Sequence, residues 1–131
     1  MAEDRVVLLV EDEEPNRALL RAILARASND RLPDVVLVEA EDLASARAVL
    51  AARHVDLVLL DVRLPDGNGL SLIPGDVARD KRSPLFLVLS ASVLPTERAH
   101  ALASGAAGFL AKPYRPAELI EAVAALLEAG A

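Results

Sequence analysis

The sequence predicts an α/β fold: a doubly wound, five-stranded parallel sheet with helices on both faces. Two observations lead to this prediction. Short runs of mostly branched aliphatic residues alternate with longer segments in which apolar residues recur at helical spacing. Such runs are typical of parallel strands, because crossover helices bury both faces of the sheet. With right-handed crossovers, a chain of this length fits the strand order 2-1-3-4-5.

The strands are predicted at the aliphatic runs 6–10, 35–39, 55–60, 85–89 and 108–111. Helices are predicted at 14–27, from a cap at Glu41 or Asp42 to about residue 52, at 95–103 and at 116–128. A further helix belongs between Gly69 and Ser83, but Pro74 interrupts it. We therefore expect a short first turn there, a break, and a second piece capped near Asp76.

Composition and charge restrict the class of protein. The 131 residues are 53% hydrophobic and 26% charged, which predicts one globular domain over 1–131. We expect a cytoplasmic protein, since there is no cysteine, no apolar run of membrane-spanning length and no basic leader. A net charge of −6 argues against direct binding of nucleic acid, which normally needs a basic patch.

Charged residues follow three of the predicted strands at the point where each strand ends. Glu11 and Asp12 follow the first strand, Asp61 follows the third, and Lys112 follows the fifth. In open α/β sheets the ligand binds outside the carboxyl ends of the strands. These side chains are therefore expected to form one site for a cation and a phosphoryl group.

Four motifs, in this order, resemble the receiver domain of bacterial two-component response regulators. They are LLVEDEEPNR, LLDVRLPDGNGL, VLSA and ASGAAGFLAKPY, and together they extend over nearly the whole chain. The resemblance implies the flavodoxin-like form of the fold, like that of the chemotaxis regulator. It also implies a phosphoacceptor in a two-component signalling system and not an enzyme, apart from self-catalysed aspartyl phosphorylation and dephosphorylation.

The resemblance assigns Asp61 as the phosphoacceptor, since a carboxylate can form an aspartyl phosphate. Oxygen ligands without Cys or His favour a hard cation, and Mg²⁺ suits a site that it shares with a phosphate. By resemblance, Asp12 and Asp61 bind the metal directly, Glu11 acts through water, and the backbone carbonyl of Arg63 is a further ligand.

The resemblance also assigns the residues that would respond to the phosphoryl group. Lys112 and Ser90 would bind its oxygens, and the peptide bond between Lys112 and Pro113 is usually cis in this family. Ser90 and Phe109 would form the switch, although a plain core ring is the alternative for Phe109. The surface of the fourth helix, fifth strand and fifth helix would then change and bind partners.

The implied partners are a histidine kinase or histidine phosphotransfer protein, and a downstream protein target or output domain. A haloacid-dehalogenase-like phosphohydrolase is a competing prediction, but it needs an aspartate where this chain has Arg63. A flavin carrier is disfavoured because Glu11 to Glu14 would repel a phosphate. The main alternative is a receiver fold that binds proteins as a scaffold without being phosphorylated.

Overall fold

The computed structural model describes residues 5–27, 31–74, 83–91 and 94–129. The strands of its main sheet are β1 (Arg5–Val10), β2 (Val35–Ala40), β3 (Leu57–Asp61), β4 (Leu85–Ser90) and β5 (Gly108–Ala111). The α-helices in these ranges are α1 (Glu14–Ala27), α2 (Leu43–Ala52), α3 (Pro95–Ala103) and α4 (Pro116–Ala129). The strands are all parallel in the order β2-β1-β3-β4-β5, which confirms the predicted fold.

The strand ends differ slightly from the prediction. β3 begins at Leu57 instead of residue 55. The reason lies in Asp56, whose carboxylate accepts the Val6 N–H at 2.7 Å while its own N–H donates to the Val6 carbonyl at 2.8 Å. This pair of contacts fastens the start of β3 to β1 before the regular ladder begins.

The segment after β3 holds two features. A short antiparallel hairpin, in which Arg63–Leu64 pairs with Gly67–Asn68, was not predicted. The expected first turn is a 3₁₀ helix, Gly69–Leu72, followed by Ile73, whose N–H donates to the Leu70 carbonyl. The expected second piece near Asp76 lies outside the described residues.

The two faces of the sheet bury different side chains, because alternate residues of a strand point to opposite sides. In β1, Val7 and Leu9 belong to the core beneath α1 and α4. Leu8 and Val10 belong to the core beneath α2. All four of these side chains are fully buried, so the sheet is covered on both sides and its functional groups must lie at its edges.

The loop after β3 is fastened to the N-terminus of α2. The carboxylate of Asp66 accepts the N–H groups of Leu43 at 2.8 Å and Ala44 at 3.1 Å. Asp42 accepts the next one, from Ser45, at 2.8 Å. These contacts satisfy N–H groups that a helix start leaves without partners, and they fix the loop beside the carboxyl end of β3.

Within the described ranges, no helix combines the length and the apolar character that spanning a bilayer requires.

Candidate functional site

A cavity of about 380 Å³ opens at the carboxyl edge of the sheet. Glu11 and Asp12 follow β1, Asp61 ends β3, Ser90 ends β4 and Lys112 follows β5. All five line this cavity, together with Glu13, Asn16, Val62, Arg63 and Ala91. The structure thus brings together the charged residues that the sequence placed at strand ends.

Glu11, Asp12 and Asp61 form an acidic cluster. Each offers a carboxylate oxygen, and these atoms all lie within 4.8 Å of one another. Glu11 is buried, Asp61 half-buried and Asp12 exposed, so the cluster opens to solvent on one side. Three hard oxygen donors at this separation fit a hard divalent cation such as Mg²⁺, because a bound cation would relieve the mutual repulsion of the carboxylates.

Glu11 is the most perturbed member of the cluster. Burial, followed by its contact with Asp61, raises the pKa of Glu11 from 4.5 to about 7. Two contacts oppose this rise. The Asn16 side-chain amide donates to Glu11 Oε1 at 2.6 Å, and the Lys112 ammonium attracts the carboxylate from 3.9 Å. A positive charge that enters the cluster would therefore lower the pKa of Glu11, and Glu11 would lose its proton.

Lys112 places a positive charge beside the acidic cluster. Its Nζ lies 3.7 Å from Asp61 Oδ2, and the side chain is 27% exposed. Its backbone N–H donates to the Ser90 carbonyl at 2.7 Å, which holds the ends of β4 and β5 together. The peptide bond between Lys112 and Pro113 is cis.

The loop after β3 packs tightly around Asp61. The backbone N–H of Arg63 lies 3.4 Å from Asp61 Oδ1, while the Arg63 side chain is exposed. Gly69 N–H donates to the Val62 carbonyl at 2.6 Å. A Cβ at position 69 would lie 2.1 Å from the Asp61 carbonyl oxygen, so only glycine fits there.

Ser90 and Phe109 both pack near α3, but only Ser90 lines the cavity. The Ser90 hydroxyl is buried and donates to Glu97 Oε1, in the first turn of α3, at 3.1 Å. Phe109 is half-buried and packs in a small apolar cluster with Val88 and Ala101. The ring does not line the acidic cavity.

Sequence reasoning missed Asn16 and Glu97. Asn16 lies in the first turns of α1, and its amide reaches back to Glu11. An asparagine inside a helix is a weak hint, since its side chain often serves a local hydrogen bond. Glu97 is an ordinary acidic residue at a helix start, and no pattern in the sequence connects it with Ser90.

Comparison with known proteins agrees with this geometry. Residues 7–124 match the family model described as the response regulator receiver domain. The response regulator protein PilR of Pseudomonas aeruginosa is 37% identical over 120 residues, covering 92% of this chain and 25% of PilR. Protein PetR of Rhodobacter capsulatus is 34% identical over 121 residues, covering 92% of this chain and 48% of PetR. The chain thus spans about half or less of the length of these curated relatives.

Solved structures share the fold. The signal receiver domain of an HD domain-containing protein from Pseudomonas fluorescens has a TM-score of 0.82 at 28% identity, with 98% of each chain covered. The receiver domain of a sensor histidine kinase from Pseudomonas aeruginosa has a TM-score of 0.76 at 25% identity, covering 96% of this chain and 99% of that one. On the family match, the relatives and the acidic cluster, this chain is a signalling module and belongs to the response regulator receiver domain family.

Proposed function

We propose that this receiver domain accepts a phosphoryl group on Asp61 from a histidine kinase or a histidine phosphotransfer protein. The observation that carries the proposal is the surroundings of Asp61. Its carboxylate lies in an open cavity, with the Lys112 ammonium 3.7 Å away and two further carboxylates alongside. These neighbours distinguish Asp61 from an aspartate that only ends a strand.

The transfer needs positioning and charge neutralisation more than covalent chemistry from the protein. An Asp61 carboxylate oxygen attacks phosphorus, the bond between phosphorus and the donor imidazole breaks, and the nitrogen keeps the electron pair. Lys112 would neutralise a phosphoryl oxygen during the transfer. The product is an aspartyl phosphate, which the domain would itself hydrolyse. Such self-catalysed steps are the only enzymatic activity we propose.

Mg²⁺ would be held by Glu11, Asp12 and Asp61, with the backbone carbonyl of Arg63 as a further ligand. The three carboxylates fit this ion because they are hard donors whose oxygens already lie close together. When bound, Mg²⁺ would neutralise charge on the phosphoryl oxygens. The solved receiver domain of the sensor histidine kinase, at 25% identity, is described with a magnesium ion coordinated in its active site cleft, which supports this assignment.

The phosphoryl group would alter a protein-binding surface. Ser90, already at the edge of the cavity, would donate its hydroxyl to a phosphoryl oxygen, and Phe109 would turn inward beside it. Both changes would alter the surface formed by α3, β5 and α4, which are the predicted fourth helix, fifth strand and fifth helix. A downstream protein target or an output domain would bind there. The relatives PilR and PetR are longer than this chain, so an output domain in the same polypeptide is included in the proposal. We place this domain, over residues 1–131, in the cytoplasm, without direct contact with nucleic acid or membrane.

Incubation with acetyl phosphate and Mg²⁺, followed by intact mass measurement, tests the phosphoacceptor. The wild-type chain is expected to gain one phosphoryl group, and Asp61→Asn is expected to gain none. Omission of Mg²⁺ should slow the reaction strongly. The same donor should phosphorylate another receiver domain in a parallel reaction. If the wild-type chain then stays unmodified, the proposal is wrong, and the domain is instead a scaffold that binds proteins without being phosphorylated.

A further inference from the structure

The Ser90 hydroxyl makes a hydrogen bond across two elements of the fold. Ser90 ends β4 and is 3% exposed, and its Oγ donates to Glu97 Oε1 at 3.1 Å. Glu97 is half-buried in the first turn of α3. The same Ser90 lines the cavity that contains Asp61 and Lys112. The residue whose hydroxyl donates to Glu97 is therefore also a wall residue of the cavity in which Asp61 would carry the phosphoryl group.

A serine hydroxyl has a single proton and donates one strong hydrogen bond at a time. Its bond to a carboxylate is charge-assisted and is stronger than a bond to a neutral group. A phosphoryl group on Asp61 would therefore have to win the hydroxyl away from Glu97. We propose that Glu97 is a positioning residue, which holds Ser90 on the α3 side and sets how readily the domain accepts a phosphoryl group. The inference rests on the proposed function of Asp61.

A second helix of the chain provides an internal comparison for Glu97. α3 begins Pro95-Thr96-Glu97 and α4 begins Pro116-Ala117-Glu118, so each helix has a glutamate at its third position. Glu118 accepts the backbone N–H of Arg115, directly before its own helix, at 2.9 Å. Glu97 instead reaches to the end of β4. An interaction with the helix dipole is common to both residues, whereas the contact with Ser90 belongs to Glu97.

The experiment measures the rate of phosphorylation by acetyl phosphate at saturating Mg²⁺. Glu97→Ala removes the acceptor that Ser90 must leave, so the rate is expected to rise about three- to tenfold. Glu97→Asp keeps the charge but is one methylene shorter and loses the reach, so it should also be faster than the wild type. Glu118→Ala is the matched control and should leave the rate unchanged. Thermal unfolding of each variant verifies that it is folded.

A double-mutant cycle isolates the contact. In a Ser90→Ala background, Glu97→Ala should no longer change the rate. The backbone amide NMR signals of Ser90 and Ala91 give a readout apart from activity. In the unphosphorylated Glu97→Ala domain these signals should move part of the way toward their phosphorylated positions.

Three outcomes would overturn the inference: equal rates for the wild type and Glu97→Ala, an equal acceleration in the Ser90→Ala background, or wild-type behaviour of Glu97→Asp. All three presuppose an adduct on Asp61. Absence of any adduct on the wild type overturns the proposed function itself, so the two failures are distinguishable.

Discussion

The Lys112 ammonium lies 3.7 Å from Asp61 Oδ2, although the two residues belong to different strands: Lys112 directly follows the edge strand β5, and Asp61 ends the central strand β3. At this distance the pair forms a loose ion pair and not a tight hydrogen bond. The ammonium is thus near enough to compensate charge on Asp61 and is also available to an incoming phosphoryl oxygen.

Replacing Lys112 should therefore slow phosphorylation strongly and change the free energy of unfolding only slightly. Lys112→Ala is expected to lower the rate with acetyl phosphate by at least about tenfold, since the transfer depends on charge neutralisation. Stopped-flow or intact mass time courses measure the rate. Arg115→Ala, which removes an exposed positive charge nearby, is the control and should retain the wild-type rate. Equal losses in both variants would show that Lys112 acts only through the general field of the protein.

Asn16 is expected to support metal binding by orienting the Glu11 carboxylate. Asn16→Ala removes the 2.6 Å hydrogen bond to Glu11 Oε1, which leaves the carboxylate less well oriented and harder to ionise. Groups that orient a metal ligand typically contribute about tenfold or more to metal affinity. Calorimetric titration with Mg²⁺ measures this loss. Arg26→Ala, in the last turn of the same helix, should bind Mg²⁺ as the wild type does. A wild-type affinity for Asn16→Ala would contradict the assignment.

The raised pKa of Glu11 predicts a stability that depends on pH in the absence of metal. The folded domain keeps the Glu11 proton up to about pH 7, whereas the unfolded chain loses it near pH 4.5. Because the folded state binds more protons in this interval, the contribution of Glu11 to the free energy of unfolding falls as the pH rises from 4.5 to 7.

Urea denaturation in EDTA at several pH values tests this dependence. Glu11→Gln cannot titrate, so its stability should lose less than that of the wild type between about pH 5 and pH 8. Added Mg²⁺ should restore the wild type at the upper end of the range, because binding to the folded state alone stabilises it. Parallel pH profiles of the wild type and Glu11→Gln would rule out the buried carboxyl as the cause.

Gly69 is expected to tolerate no side chain. A Cβ there would lie 2.1 Å from the Asp61 carbonyl oxygen, a backbone atom of β3, so Gly69→Ala should lower the free energy of unfolding by about 2–4 kcal/mol. Gly108→Ala is the matched control. Its Cβ would meet the end of the Leu87 side chain at 3.1 Å, and that side chain can move. Chemical denaturation should rank Gly69→Ala as clearly the less stable variant, and the reverse order would contradict this packing.

The order of elements and the charged strand-end residues of the site could be predicted because both follow from local chemistry. A strand that is buried on both faces is apolar along its length, so VVLLV and the LVLL part of VDLVLL predict their strands. A carboxylate at the end of such a run has to lie at the open edge, and parallel pairing brings these edges together. This reasoning alone places Glu11, Asp12, Asp61 and Lys112 in one cavity.

The sequence could not predict which side chains of different elements form hydrogen bonds with one another. The contacts from Asn16 to Glu11, from Ser90 to Glu97 and from Asp66 to the start of α2 join separate segments. Each depends on how a helix is placed against the sheet and on one rotamer, and neither quantity leaves a periodic trace in the chain. The amino-acid order therefore specifies which charges meet at the sheet edge, whereas three-dimensional packing selects the partners that orient them.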